Sequence, residues 1–417
     1  MARAERAKGR AARTSPLYPL PGVACALVAA ALGLSAGAAG CKKKSAPSAT
    51  TSGPRPVTPR ARSAYVTNNG SDSLSVLDRD GTAVTTATLD VDPSAHEAPH
   101  HLAIDGADGV LFVALAFPPA PPAPGATKDP HASHGGGEDR GQLARVDLAT
   151  LSVNATRDVD ENPGDVVATH DRAHLLVTHF DMKRAMKVAT AGGAPSRMFA
   201  TLQVWDAKAF TLVGSRPLCV APHGVTTTPD DRVALVACYG SDELAVVDLT
   251  SPTLPSARYA LGASPGVPGA PTYGPYSATL APDANRVVVA DLEGMDIRVF
   301  DRAEKRFLAD KTVSLGARAF MPAFVGDDAL LVPLQSPDGL ARIDVGAAAI
   351  TRRVAFGGDE CKSPHVVQKA KDGRVYLVCE GDHLGPGAVV EIDPVSLAIR
   401  KRWEVGVYPD GIAFGDE

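Results

Sequence analysis

Apolar and polar positions along the 417-residue chain follow one short pattern that recurs seven times. An apolar strand enters through Pro-His, Pro-Gly or a similar pair. A polar turn follows, often with Asp-Gly or Pro-Asp. A second apolar strand comes next, then a third that ends near Val-Asp. Strong copies lie at residues 100–113 (HHLAIDGADGVLFV), 223–236 (HGVTTTPDDRVALV), 277–289 (SATLAPDANRVVV) and 365–378 (HVVQKAKDGRVYLV). Weaker copies begin near Asp165 and Ala323, and a last one, YPDGIAF, begins at Tyr408. Val-rich runs bounded by turn residues predict strands. Similarity at a period of roughly 40–50 residues predicts a propeller or solenoid.

The spacing favours a closed ring. With inner strands starting near His100, Asp165, His223, Ser277, Ala323, His365 and Asp410, the last four gaps are 54, 46, 42 and 45 residues. The first two are 65 and 58, and each contains a loop insertion, at 118–141 and 182–197. The C-terminal repeat has only an inner strand. Its outer strands are supplied by residues 63–68, 73–78 and 84–89, so both chain ends share one blade and two exposed sheet edges disappear. The predicted fold is all-β: a seven-bladed propeller of four-stranded antiparallel blades, the last closed by both termini.

The N-terminal segment has a different pattern. Residues 1–13 carry five basic side chains against Glu5, an apolar stretch follows at 23–34, and small residues lead to Cys41. This order predicts a secretory signal. Ala38-Ala39-Gly40-Cys41 resembles the end of a bacterial lipoprotein signal, with Cys41 the lipid attachment point. The expected organisation is a signal peptide at 1–40, a lipid anchor and disordered tether at 41–62, and a single propeller domain at 63–417. The tether is rich in Ser, Thr, Pro and Arg and has no apolar periodicity. Lys42 after the cysteine favours the outer membrane, with the domain periplasmic or surface-exposed.

Charge restricts the partners. The chain carries a formal −5, and residues 1–40 hold a net +4 of it, so the remainder carries −9. That balance opposes nucleic-acid binding. The expected contacts are the membrane, through the lipid, and an unknown protein or small ligand at the loop-rich channel face.

Four of the six cysteines form two copies of one arrangement: Cys219-Val-Ala-Pro-His223 with Cys238, and Cys361-Lys-Ser-Pro-His365 with Cys379. In each, one cysteine precedes an inner strand and its partner ends the next antiparallel strand. A hairpin brings them to the same face of the ring, which predicts disulfides Cys219–Cys238 and Cys361–Cys379 in an oxidising compartment. Thiolate–imidazole metal binding is the alternative. Cys-x-x-Cys-His does not occur, so covalent haem is unsupported.

The run from Ala64 to Asp72 (AYVTNNGSD), followed by Ser73-Leu74-Ser75-Val76-Leu77-Asp78, resembles the repeat of the bacterial Tyr-Val-Thr-Asn propeller family. Val236-Ala237-Cys238-Tyr239-Gly240-Ser241-Asp242, followed by 243–248, is a degenerate copy. The resemblance spans residues 63–417 and implies a seven-bladed, usually extracytoplasmic propeller. That superfamily includes surface proteins, binding modules, lactonase-like enzymes and haem-binding domains, so the resemblance implies no catalytic residue.

Asn-Gly-Ser-Asp predicts a tight turn in which Asn and Gly take left-handed dihedrals and Asp bonds to backbone. Asp78, Asp147, Asp206, Asp248, Asp301, Asp344 and Asp393 follow third strands at matching places, which predicts turn satisfaction rather than catalysis. The connection into the inner strand and the loop between strands two and three share one face. His100, His101, His223 and His365 are therefore expected near the channel mouth, with His179 and His383 close by. Glu97 and Asp410 complete the candidate set. Neutral imidazoles suit Cu, Zn or Fe, yet repeat-equivalent positions fit a channel-wall role without a ligand. His131 and His134 form a separate pair in the first insertion.

No sequence motif specifies a cofactor or a catalytic mechanism. The expected function is a lipid-anchored binding scaffold whose entrance holds no permanent metal. The alternatives are a metal-dependent, lactonase-like hydrolase, with Glu97, His100, His223, His365 and Asp410 at the channel mouth, and a haem- or metal-associated redox propeller.

Overall fold

The computed structural model describes residues 62–117, 140–263 and 266–416. The expected signal peptide, Cys41, residues 41–61 of the tether, and His131 and His134 lie outside them. Among the described residues, seven antiparallel sheets form the blades of a propeller. Six are four-stranded: five in simple meander order, and one that joins the C-terminal strand to the first three strands of the domain. The seventh has an inner strand broken into Arg318–Ala319 and Ala323–Phe324, both paired to Ala329–Gln335. The break falls at Phe320-Met321-Pro322, where the Met321 N–H instead donates to the His365 carbonyl of the next blade and the Met321 carbonyl accepts from the Val367 N–H. No helix among the described residues is long and apolar enough to cross a membrane.

Closure occurs as the pattern predicts. The C-terminal strand Pro409–Phe414 pairs with Ser63–Asn68, placing Ile412 opposite Val66 and Phe414 opposite Ala64. Alternate side chains of one strand pack against different neighbours. Tyr65 joins a cluster with Leu102, Leu111 and Leu115, whereas Val66 joins Val366, Tyr376 and Trp403. Burying each such side chain contributes roughly 1.5–3 kcal/mol. The continuous ring of these contacts makes the blades one unit.

The polar turns explain the seven aspartates. Carboxylates of Asp147, Asp206 and Asp393 each accept two backbone N–H groups from the turn that follows, and Asp78, Asp248, Asp301 and Asp344 accept at least one. The Asn-Gly-Ser-Asp loop departs from expectation in one respect. The left-handed residue is Asp72 itself, as is Asp242 in the degenerate copy, and their carboxylates reach into the connection leading to the next blade.

Both expected disulfides are formed, with Cα atoms 5.9 Å apart for Cys219–Cys238 and 5.2 Å for Cys361–Cys379. Each ties a residue three positions before an inner strand to the end of that strand's hairpin partner. The second bond spans 18 residues, and a loop of that size contributes about 3 kcal/mol by restricting the unfolded chain. Replacing Cys361 and Cys379 together by serine should lower the unfolding free energy by about that amount in urea titrations. An unchanged midpoint would show that the hairpin needs no staple.

Candidate metal centre

Six inner strands begin with proline: Pro99–Asp105, Pro163–Ala168, Pro222–Thr227, Pro275–Leu280, Pro364–Lys369 and Pro409–Phe414. Proline suits the first residue of a strand because it lacks a ladder donor there. The residue before each proline is left-handed: Ala98, Asn162, Ala221, Gly274, Ser363 and Tyr408. Directly after each proline the pairing register slips, so the inner strand carries one extra residue. A bulge of this kind re-aims side chains. In a regular strand His100 and His101 would face opposite ways. Here their rings stack with centroids 4.3 Å apart.

The residue after each proline is therefore delivered to the ring axis. His100, His223, Tyr276, His365 and Asp410 occupy this position, and His101 and Asp165 the next one. All are buried. Gly224 and Gly411 share that next position, where a Cβ would lie 2.7 Å from the Ser277 Cα and 2.6 Å from the Leu102 Cδ2. Their lack of a side chain lets the inner strands approach closely enough for the rings to touch.

Asp410 is the centre of the cluster. Its Oδ2 contacts His100 Nδ1, and its Oδ1 lies 2.9 Å from His365 Nδ1 and 3.8 Å from His101 Nε2. His365 Nδ1 is also 3.0 Å from Glu380 Oε1, and its Nε2 is 3.2 Å from the Tyr276 hydroxyl. Asp165 accepts from His101 Nδ1 at 2.7 Å and from the Val225 N–H at 3.0 Å. His223 Nδ1 donates to the Tyr276 carbonyl, 3.1 Å away, and its ring stacks on that tyrosine at 3.8 Å.

Electrostatics divide these groups. Burial disfavours a charged His365, but Glu380 and Asp410 outweigh it and push its pKa up to about 10. Burial also opposes ionisation of Glu380, yet the imidazolium beside it brings that carboxyl down to about 2. Asp410 is held well below the usual carboxylate range for the same reason, with His100 and His365 overcoming burial. For His100 burial prevails and lowers the pKa. Burial keeps Tyr276 a neutral phenol. Two buried carboxylates thus face one imidazolium, an arrangement that carries net negative charge in a region shielded from water.

The cluster is closed on the insertion-bearing side by aromatic rings. Phe180 packs edge-on to His223 at 5.1 Å and Phe320 to His365 at 5.2 Å, with Tyr239 against Phe180. On the other side, farther along the inner strands, a cavity of about 250 Å³ reaches His101 and Asp165. It is lined by Thr226, Ser277, Thr279 and Gln368 among others.

The structure brings together five of the six candidate residues, beneath an aromatic cover rather than on an exposed mouth. Glu97 is the exception. Its carboxylate accepts the N–H groups of Val91 and Asp92 at 3.0 and 2.7 Å, so it organises a connecting loop and is not part of the cluster. His179 is buried elsewhere, against Thr201. His383 stacks on Tyr408 at 3.7 Å and reaches the cluster only through Glu380, at 2.8 Å. Sequence reasoning missed Asp165, Tyr276 and Glu380. The first two follow inner-strand prolines and were legible by aligning the repeats on proline. Glu380 follows Cys379, and only the pairing of Pro364 with Cys379 reveals it.

Two sets of side chains have the geometry of a cation site: His100, His101 and Asp410, and His365, Glu380 and Asp410. In each, the donor atoms lie within 4.8 Å of one another. Two ligands each about 2.0–2.2 Å from one ion stand about 3–4 Å apart, the range of the separations above. The clearest indication is His101. Its Nδ1 is engaged by Asp165, and among the described residues its Nε2 makes no hydrogen bond. A carboxylate on one ring nitrogen with the other presented inward is the arrangement that orients a metal-binding histidine.

The sequence matches no protein-family profile and no curated protein. Solved structures share the fold. One is a functionally unknown protein from Desulfotomaculum acetoxidans, with TM-score 0.59, 13% identity, and coverage of 85% of this chain and 98% of that one. Another is the periplasmic gluconolactonase PpgL of Pseudomonas aeruginosa, with TM-score 0.58, 17% identity, and coverage of 84% and 98%. The dihydro-heme d1 dehydrogenase NirN has TM-score 0.52 and 16% identity over 88% of this chain and 78% of its own.

The His365 ion pair makes stability depend on pH. Its folded-state pKa of about 10 lies above the ~6.5 of an unfolded histidine. The pair therefore stabilises chelator-treated protein fully below pH ~6.5, and that contribution is lost as pH rises through about 10. The stability difference between wild type and His365→Gln, measured by urea unfolding, should shrink across this window. A difference independent of pH would remove the charged pair from the description.

Proposed function

We propose that this propeller is an extracytoplasmic metal-dependent hydrolase acting on small hydroxylated lactones, in place of the binding scaffold that the sequence favoured. The observation that carries the reading is His101 Nε2, buried, without a hydrogen bond among the described residues, and 3.8 Å from Asp410 Oδ1. An apolar channel wall gives no reason to retain such a nitrogen, since a buried polar atom left unsatisfied costs about 1–3 kcal/mol. His100, His101 and Asp410 would hold a divalent ion, and imidazole with carboxylate suits Zn or Mn. A divalent ion there supplies Lewis acidity toward an ester carbonyl.

The chain's own groups do the rest. Asp165 fixes the His101 ring, and both line the cavity, so a substrate arriving from that side meets them first. Thr226, Ser277, Thr279 and Gln368 offer hydroxyl and amide partners along the approach, which suits a polyhydroxylated ring. The aromatic cover of Phe180 and Phe320 keeps bulk water from the opposite side. The cavity, about 250 Å³, lies below the ~300–1,000 Å³ of pockets that take drug-sized ligands. That size favours a small lactone over a macrocycle. PpgL, a periplasmic gluconolactonase on the same fold, agrees with this substrate class.

Two disulfides are consistent with an oxidising compartment. Together with the secretory signal expected at 1–40 this fits an extracytoplasmic domain, and we place its attachment to the bacterial cell envelope at a lipidated Cys41. Cys41→Ser should release the domain into the soluble fraction, and intact mass of the native protein should show a lipidated N-terminus at this residue. A mature N-terminus elsewhere removes the anchor.

The metal reading is tested by affinity. Asp165→Asn should weaken Zn²⁺ binding about 10–100-fold by calorimetry, the usual effect of losing a carboxylate behind a metal-bound histidine. Turnover of a small aldonolactone should fall with it. Unchanged Zn²⁺ affinity, or wild-type protein that binds no divalent ion, would defeat the proposal.

A further inference from the structure

The single-ion reading leaves one half of the cluster without a task. His365, Glu380 and Asp410 form a second buried triad. Only Asp410 is common to both sets. Its Oδ1 stands between the two, 3.8 Å from His101 Nε2 and 2.9 Å from His365 Nδ1, while its Oδ2 meets His100. The His101 and His365 rings lie 6.0 Å apart, centre to centre.

We infer that the cluster is a dinuclear centre, with one divalent transition-metal ion held by His100 and His101, a second by His365 and Glu380, and the carboxylate of Asp410 bridging them. This rests on the metal reading above and extends it. Three observations carry it. The donor separations in the second triad, 3.0 Å from His365 Nδ1 to Glu380 Oε1 and 2.9 Å to Asp410 Oδ1, match adjacent ligands on one ion, about 3 Å apart. Glu380 Oε1 and Asp410 Oδ1 are both buried, and apart from the His365 ion pair neither has a hydrogen-bond partner among the described residues. Finally, the outer partners are arranged alike on the two sides. Asp165 holds His101 from behind, and His383 holds the second oxygen of Glu380 at 2.8 Å.

Such supporting contacts are what orient ligands in metal sites. The Cys361–Cys379 bond adds a covalent brace, because its two cysteines lie four residues before His365 and immediately before Glu380. A carboxylate shared between two ions is also suited to the proposed hydrolysis. Paired ions can stabilise both the attacking and the leaving oxygen of a displacement.

The test is stoichiometry with a spectroscopic readout, on the full chain. After chelation and reloading with Zn²⁺, wild type should bind two ions per chain by elemental analysis. His101→Asn and Glu380→Gln should each retain one. Loading with Mn²⁺ should give the electron paramagnetic resonance spectrum of an exchange-coupled pair in wild type and of an isolated ion in each variant. One ion per wild-type chain overturns the dinuclear inference and leaves the single-ion reading standing. Two ions with no exchange coupling overturn the Asp410 bridge. No retained ion overturns both readings. The wild-type measurements decide the matter even if a variant fails to fold.

Discussion

The constraint on which the site depends is the way each inner strand begins. A left-handed residue, then proline, then a one-residue bulge turns the chain from the rim into the channel. Left-handed backbone is unfavourable for residues such as Ala98 and Ser363, costing roughly 1–2 kcal/mol each. It persists because the surroundings hold it. In three blades the N–H of that residue is captured by an aspartate of the preceding blade: Ala98 by Asp72, Gly274 by Asp242 and Ser363 by Asp338, each at 2.9 Å. The aspartate immediately precedes a third strand in every case. One blade therefore sets the angle at which the next delivers its side chain to the axis. The final aspartate of Asn-Gly-Ser-Asp is best understood as this inter-blade tie.

With that geometry fixed, the identity of one repeat position decides the chemistry. The residue after the proline is His, Gly, His, Tyr, His and Asp around the six proline-led strands. The broken inner strand contributes Phe320 to the cover. The scaffold tolerates this variety because these residues pack with one another at the ring axis, apart from the apolar clusters along the strands. The position two residues later, Leu102, Val166, Val225, Ala278, Val367 and Ile412, packs in the apolar clusters and stays apolar throughout. Function and fold are thus written in separate columns of the same repeat.

The same division explains what could be read from the sequence. Seven blades and the turn role of seven aspartates follow from patterns local to one blade, the shared closing blade from the lone inner strand of the last repeat, and both disulfides from the repeated cysteine spacing, even though Cys219 lies on the outer strand of the blade before that of Cys238. Convergence of His100, His101, His223, His365 and Asp410 was legible in part, because all follow inner-strand prolines. Their depth was not, since the rings that cover them come from Phe180 and Phe320, which no repeat register singles out. Glu380 comes from a neighbouring strand and depends on register. Glu97 failed as a site residue for the converse reason. It precedes the left-handed Ala98, so its side chain remains with the connecting loop and satisfies the Val91 and Asp92 amides.

A buried cluster of this composition is hard to justify as structure alone. Polar groups withdrawn from water need partners, and ionised ones need opposite charge. His365 supplies one positive charge to Glu380 and Asp410, which leaves an excess of negative charge around Asp410. Replacing the whole group with apolar side chains would serve a propeller core at least as well. The retention of His101, whose Nδ1 is tied back to Asp165 while its Nε2 makes no hydrogen bond among the described residues, has a simpler physical account. The tie orients the ring with Nε2 3.8 Å from Asp410 Oδ1, an arrangement that a cation site would require and a channel wall would not.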